Sequence, residues 1–293
     1  MGVDVGATKI AAGAVTGTRI RNLIVRATPH ETKKALVRAI AEAVTAAAAG
    51  PVPSAVGIGM PYGTDGLPHA GPALLPDLRK EFGRTIRLEN DANCAAFGEA
   101  RARRAKHLVM FTLGTGFGAG VIIDGTLFRG ADGLGSEFGN TTIDYDYGGP
   151  AASYNPGRLH DLVSGSGLVA EAAAAASAPE AEGYLAGLLE RQDSITALDV
   201  TRATRSGDAA AVSIMERFAV RLGVGIANAV NTFQPRHVVL GGGLADQADL
   251  YLDLAMQEAA RRAMTALWEN VTVSVSKLEQ AGVVGAAALA REA

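Results

Sequence analysis

The sequence predicts an α/β protein made of two similar halves. Three observations carry this expectation. Short β-type runs alternate with longer stretches of helical spacing along the whole chain. The pattern restarts near residue 107. Glycine-rich turns directly follow strand-like runs at three places: Asp4 to Lys9, Leu113 to Gly118 and Leu240 to Leu244.

In the first half, Val3 to Val5 is a short apolar run that ends at Gly6. Ile10 to Val15 and Arg19 to Ala27 read as strands joined at Thr16-Gly17. Glu31 to Ala49 places Leu36, Ile40 and Val44 at helical spacing. Ala55 to Met60 and Ile86 to Glu89 read as strands, and Asp91 to Arg104 as a helix that Asp91 caps or opens.

His107 to Leu113 begins the second half, followed by Gly114-Thr-Gly116, a strand from Gly118 to Ile123 and a hairpin turn at Asp124-Gly125. An offset of 108 pairs Gly6 with Gly114, Ala11 with Ala119 and Gly17 with Gly125, without a gap. Beyond lie a helix from Ala209 to Phe233, a strand from His237 to Leu240, a helix from Gln247 to Trp268, a strand from Val271 to Ser276 and a final helix. The expected domains are residues 1–105 and 106–281, with the last helix (about 282–293) packing on the first. Two such domains facing each other create a cleft, a preferred place for a ligand.

Composition narrows the function. The chain has 293 residues, 48% hydrophobic and 19% charged, a globular balance. A net charge of −3 gives no electrostatic case for nucleic acid. No apolar run approaches the roughly 20 residues of a membrane span, and no signal peptide opens the chain, so a soluble cytoplasmic protein is expected. Cys94 is the single cysteine, which excludes an intrachain disulfide and a cysteine-built zinc site.

Glycine lets backbone N–H groups approach a phosphate closely, and neighbouring hydroxyls add donors. Lys9 could add positive charge, and Asp4 could hold a magnesium shell. Tight hairpins without a ligand are the bland alternative for one such turn, but three in a repeated frame favour nucleotide binding. The P-loop pattern is absent. Gly114 to Ala119 fits G-x-G-x-x-A, but the strand-like Val121-Ile-Ile123 follows it, where a dinucleotide fold needs a helix.

At this point a family resemblance enters. Asp4-x-Gly-Ala-Thr-Lys9, Gly57-Ile-Gly-Met-Pro61, Glu89-Asn-Asp-Ala-Asn93, Leu113-Gly-Thr-Gly-Phe-Gly-Ala-Gly120, Gly135-Ser-Glu-Phe-Gly139 and Val239-Leu-Gly-Gly-Gly-Leu244 resemble the ROK family of repressors, open reading frames and sugar kinases. They occur in family order over nearly the whole chain. The resemblance implies a two-domain actin-like ATPase fold, a duplicated ribonuclease-H-like unit with an interdomain cleft. It also implies ATP, Mg2+ and phosphorylation of a sugar hydroxyl. It assigns the catalytic base to Asp91. Substrate contacts fall on Gly59, Asn90, Asp91, Glu137, Asn140 and His160. Nucleotide or phosphate contacts fall on Asp4, Gly6, Thr8, Lys9, Gly114, Thr115, Gly116, Gly241, Gly242 and Gly243. Relatives are often dimers or tetramers, so a homodimer is expected.

The base assignment also has a residue-level rationale. A carboxylate opening a helix can accept a proton as a hydroxyl attacks the γ-phosphate in line. The plainer role of Asp91 is an N-cap, of Asn90 a turn residue, of Glu137 a solvated loop charge and of His160 a surface histidine.

The sequence departs from the family on the sugar side. Asn140 stands where the family has a zinc-binding histidine, and no cysteine cluster follows, so no structural zinc is expected. His160 stands where a second sugar-binding glutamate is usual, which turns an obligate acceptor into a donor or acceptor. Asp161 beside it could substitute. Tyr62 replaces a preferred glycine, and Leu74-Leu75-Pro76 stands where Asn-Leu-Pro often meets the sugar. Tyr145 and Tyr147 could supply by packing the order that a metal gives relatives.

The nucleotide turns and Asp91 are retained, so the expectation is phosphoryl transfer to an altered substrate: glucose, an amino sugar, a modified hexose or a C7-cyclitol. The alternatives are a sugar-responsive repressor, disfavoured because the first glycine turn at residue 4 leaves no room for a helix-turn-helix, a non-catalytic sugar-binding module, an actin-like ATPase, and a polyphosphate-dependent glucokinase.

Overall fold

The computed structural model describes residues 1–51, 53–62, 67, 69–83, 85–149, 157–192 and 194–292. Two compact units emerge: Met1–Met110 with Gly120–Arg129 and Lys277–Ala293, and Phe111–Ala119 with Gly130–Ser276.

The first half of the chain runs β1 (Gly2–Val5), β2 (Lys9–Thr16), β3 (Arg19–Ala27), α1 (Lys33–Ala48), β4 (Ala55–Met60), α2 (Leu75–Phe82), β5 (Thr85–Asn90) and α3 (Asp91–Arg103). The second runs β6 (Leu108–Leu113), β7 (Phe117–Ile123), β8 (Thr126–Leu127), α4 (Leu159–Leu162), α5 (Gly165–Ala176), α6 (Tyr184–Arg191), α7 (Ala197–Arg205), α8 (Ala209–Phe233), β9 (His237–Gly241), α9 (Leu252–Arg262), α10 (Thr265–Trp268), β10 (Thr272–Val275) and α11 (Ala281–Leu289).

The first sheet has the order β3-β2-β1-β4-β5 and the second β10-β9-β6-β7-β8. Read from the other edge, the second repeats the first strand for strand. In the first sheet β1 pairs antiparallel with β2 and parallel with β4, which pairs parallel with β5. In the second, β7 pairs antiparallel with β8 and β9 parallel with β10. The 108-residue offset lands on equivalent turns: Gly17 (φ 63°) and Gly125 (φ 77°) both end hairpins in the left-handed region. The repeat is therefore structural.

In the first unit, Val3, Val5, Ile10, Leu36, Ile40, Val44, Ile58 and Met60 form a core between α1 and one sheet face. The opposite face meets α11. Glycines at Gly2 and Gly57 bring β1 and β4 against the backbone carbonyls of Val283 and Ala286, a space no side chain could share. Helix α3 crosses α11 in the same way, with Gly285 against the Cys94 carbonyl and Gly98 against that of Ala281.

Several element boundaries differ from expectation for local reasons. Helix α1 starts at Lys33 because the Thr32 hydroxyl accepts from the Ala35 N–H at 3.1 Å and caps it. Helix α2, with Pro76 in its first turn, has no counterpart in the sequence reading. The single helix expected from Gln247 to Trp268 is broken twice. Tyr251 leaves helical geometry (φ −143°), and its buried hydroxyl donates to the Leu244 carbonyl at 2.8 Å. Ala263 turns extended, and the Met264 N–H bonds Asn231 Oδ1 at 2.9 Å. No described helix is long and apolar enough to cross a membrane.

Candidate active site

The first unit holds the expected base. Asn90, not Asp91, is the N-cap of α3: its Oδ1 accepts from the Asn93 N–H at 3.1 Å. Asp91 is thus the first helical residue, half-buried, with Oδ1 accepting from the Ala92 N–H at 2.9 Å. This removes the plain-cap explanation for Asp91, because its neighbour fills that role.

Glu89 holds this helix start. The residue is 4% exposed. Oε1 accepts from the Asn90 N–H and from Asn93 Nδ2, each at 3.1 Å, and Oε2 from Arg129 Nε at 2.7 Å. Charge-assisted bonds of this kind are about twice as strong as neutral ones. Neither Glu89 nor Arg129 carried a role in the sequence reading; the buried charge within Glu89-Asn-Asp is the signal that could have found them. Gly59 approaches Cys94 Sγ and the Asp91 Cα so closely that an added Cβ would lie 3.0 and 3.4 Å from them. It therefore seats the start of α3. Burial raises the Cys94 thiol well above its ordinary pKa, aided by the charges of Glu89, Asp4 and Asp91. The thiol stays protonated and is not a nucleophile.

Asp4 lies in β1 against α11, where a Cβ on Gly282 would lie 2.6 Å from its carboxyl. It is half-buried by accessible area, but surrounding protein strips enough water to push its pKa up to about 7. Desolvation is the largest cause, the Asp91 charge the second, and Lys9 offsets part of both. An under-compensated pair of carboxylates suits a hard divalent cation, so Asp4 fits Mg2+. The adjacent turn is pinned by Gly6 N–H to Lys9 O (2.9 Å), by Thr28 N–H to Thr8 O (3.1 Å) and by the Thr28 hydroxyl to Gly6 O (2.8 Å). The Thr8 and Lys9 residues stay exposed.

The second unit gathers the other two glycine turns. Gly114 N–H closes on Gly116 O at 3.0 Å. The start of α5, capped by Ser164, docks on this turn: Gly165 N–H bonds Gly114 O at 2.8 Å, and the Ser166 N–H and hydroxyl bond Thr115 O at 3.1 and 2.9 Å. Gly242 (φ 87°) lies against the Leu113 backbone, and Leu244 N–H bonds Leu113 O at 3.0 Å. Gly242 and Gly243 are exposed and Gly241 is buried. Thr115, Gly116 and Gly241 to Gly243 are thus brought together, and Ser164 to Ser166 join them unanticipated.

His160 also meets this turn. A Cβ on Gly116 would lie 2.6 Å from the imidazole Cε1, and the Phe117 N–H donates to His160 Nδ1 at 3.4 Å. An acceptor at Nδ1 leaves the neutral ring's proton on Nε2, so the tautomer presents a donor.

Glu137 is exposed and precedes a 3-10 turn, Phe138–Asn140. Asn140 Nδ2 donates to Glu137 Oε2 at 3.1 Å, while Asn140 Oδ1 accepts from Arg158 Nη1 at 2.6 Å. Asp161 does not substitute for the missing glutamate. It is 7% exposed and doubly bonded to Arg158, at 2.8 and 3.3 Å. Leu74 turns into the core of the first unit rather than toward a ligand. Tyr145 is 89% exposed, whereas Arg221 lies 5.2 Å over the Tyr147 ring. Among the described residues no cluster of three or more His, Cys, Asp or Glu could hold a metal.

Two sheets of one topology, each with a glycine turn after its central strand, define an α/β protein of the actin-like ATPase class. The chain belongs to the ROK family, whose model matches residues 1–293. It is 34% identical over 309 residues to a glucokinase of Streptomyces coelicolor, covering 100% of this chain and 97% of that protein. It is 30% identical over 312 residues to an N-acetyl-D-glucosamine kinase of Photobacterium profundum, covering 98% of each. A ROK family glucokinase from Streptomyces griseus, solved with glucose and AMPPNP, matches with a TM-score of 0.83 at 34% identity, over 100% of this chain and 99% of that one.

Proposed function

We propose that the chain is an ATP-dependent carbohydrate kinase that phosphorylates the primary hydroxyl of a hexose or hexose-like substrate. The observation that carries this reading is the start of α3. There Asn90 takes the capping duty, buried Glu89 fixes the turn, and Asp91 is left as the first helical carboxylate. The glucokinase and N-acetyl-D-glucosamine kinase relatives support a sugar acceptor, and the AMPPNP-bound neighbour supports ATP as donor.

In this reading Asp91 accepts the proton of the substrate hydroxyl as its oxygen forms a bond to the γ-phosphorus. The bond from that phosphorus to the ADP oxygen breaks, and ADP leaves. Asp4 would hold Mg2+, which supplies charge neutralisation at the phosphates. Lys9, Thr8, Gly6 and the turns at Gly114–Gly116 and Gly241–Gly243 take the nucleotide. Asn90 and Glu137 take hydroxyls, Asn140 acts through its bond to Glu137, and Gly59 lets the start of α3, with Asp91, pack close.

His160 sets the substrate apart. A ring that presents a donor favours a substrate acceptor at that point, and a mismatched buried polar group costs on the order of 1–3 kcal/mol. Glucose, an amino sugar and a C7-cyclitol are the candidates. The test is ADP release with glucose, mannose, glucosamine, N-acetylglucosamine and a C7-cyclitol. A parallel assay measures phosphosugar formation from polyphosphate. Turnover of at least one compound with ATP is expected. No turnover with any donor overturns the kinase reading in favour of a sugar-binding module.

A further inference from the structure

We propose that the side-chain series Asp161–Arg158–Asn140 is a positioning relay that sets the carboxylate of Glu137. The inference rests on the reading of Glu137 as a substrate-hydroxyl contact and identifies what holds it in place.

The relay is anchored in buried charge and ends in solvent. Arg158 and Asp161 are 6% and 7% exposed. Their pairing is two-pronged, Nε to Oδ2 at 2.8 Å and Nη2 to Oδ1 at 3.3 Å. That geometry fixes the plane of the guanidinium. The remaining Nη1 donates to Asn140 Oδ1 at 2.6 Å. An amide whose oxygen is held by a cation is polarised and becomes a better donor from its nitrogen. That nitrogen, Nδ2, bonds Glu137 Oε2 at 3.1 Å. Oε1 of Glu137 accepts no hydrogen bond among the described residues and remains open to a ligand.

The backbone holds the two ends in register. Thr142 bridges Arg158 antiparallel, and the Leu159 N–H bonds Thr141 O at 3.0 Å. Asn140 N–H bonds Glu137 O at 3.0 Å within the 3-10 turn. Phe138, between them, stacks on Phe111 with ring centroids 5.4 Å apart. Ser136 enters this turn at φ 72°, a left-handed conformation that persists only where the surroundings impose it. The turn fixes the backbone of Glu137, and the relay fixes its side chain. An exposed carboxylate otherwise loses rotamer freedom when a ligand binds, so a preset one binds better.

Calorimetry with the compounds of the turnover panel, glucose and N-acetylglucosamine among them, tests this, on wild type, Glu137→Gln, Asn140→Ala, Arg158→Lys and the double variant Glu137→Gln/Asn140→Ala. Asn140 is exposed, so its alanine variant should fold, and AMPPNP affinity in each variant provides the control. The relay predicts that Asn140→Ala weakens sugar binding about three- to tenfold with AMPPNP affinity unchanged. Arg158→Lys, which keeps the charge but loses the fork, weakens it similarly. In the Glu137→Gln background, Asn140→Ala then adds little, because the group it positions is already altered. Unchanged sugar affinity in Asn140→Ala beside a loss in Glu137→Gln overturns the relay alone. Fully additive losses also overturn it. Unchanged affinity in Glu137→Gln, or a wild type that binds no compound of the turnover panel, overturns the substrate role of Glu137 and the relay with it.

Discussion

Asp4 and Asp91 are electrostatically coupled: the charge of Asp91, added to desolvation, pushes the carboxyl of Asp4 up to a pKa of about 7. The folded protein therefore holds a proton on Asp4 to higher pH than the unfolded chain, where the value is near 3.8. Ionisation of Asp4 opposes folding. The opposition is absent below the unfolded pKa, grows as pH rises from about 4 to 7, and is complete above 7. Its ceiling is roughly 4 kcal/mol by linkage. In metal-free and nucleotide-free protein, Asp4→Asn should be more stable than wild type at pH 8, and the gap should narrow toward pH 5. Thermal melts of both proteins across that range decide it. A constant gap, or a variant less stable at pH 8, refutes the coupling. The same variant should lose kinase activity, because Asp4 is the proposed magnesium ligand.

The helix pair beneath this site depends on absent side chains. Gly285 of α11 lies against the Cys94 carbonyl of α3, with Gly98 at the reciprocal position. A methyl group at residue 285 must separate the helices. Overpacking of this kind costs about 1–3 kcal/mol, or several degrees in melting temperature for a domain of this size. Because α3 carries Asp91 at its start, the shift should reach the base. Gly285→Ala should therefore lower both melting temperature and kcat. A variant that melts with wild type would show that the contact relaxes without cost.

These particulars also show what was legible in the sequence. The amphipathic helix α1 and the long helix α8 were readable because one face is apolar at helical spacing. The repeat was readable because glycine adopts the φ of Gly17 and Gly125 at no steric cost, so the hairpin tips persist as letters. Helix α3, expected from Asp91 to Arg104 on its opening aspartate and found at Asp91–Arg103, offers no such stripe. Ala92 to Ala100 are buried on every side, so the helix is built from small residues and shows no periodic face. The segment Gln247 to Trp268 kept helical spacing across two breaks that only tertiary bonds to Leu244 and Asn231 impose. At the site, the motif residues stood in the sequence, but their partners did not. Arg129 lies 40 residues from Glu89, and Arg158 lies 18 from Asn140. Such pairs are created by the fold and leave no local pattern.

Asp91 provides the sharpest test of the chemistry. Asn90 accepts the capping bond from Asn93 at 3.1 Å, and Glu89 holds the Asn90 backbone at 3.1 Å, so helix α3 does not depend on the charge of Asp91 for its start. The isosteric Asp91→Asn can still accept from the Ala92 N–H through its amide oxygen, the bond seen at 2.9 Å. It cannot accept a proton from the substrate hydroxyl. General-base catalysis contributes typically about 10²- to 10⁴-fold, so kcat should fall by that factor while affinity for AMPPNP stays within about twofold. The stability of Asp4 should respond in step. Removal of the Asp91 charge relieves one of the two forces raising the Asp4 pKa, so the variant's stability should fall less steeply from pH 5 to 8. Steady-state kinetics, nucleotide calorimetry and pH-dependent melts on this one protein separate the roles. Retained kcat removes Asp91 as the base whatever the melts show. Lost kcat together with lost nucleotide affinity identifies a folding or binding defect instead.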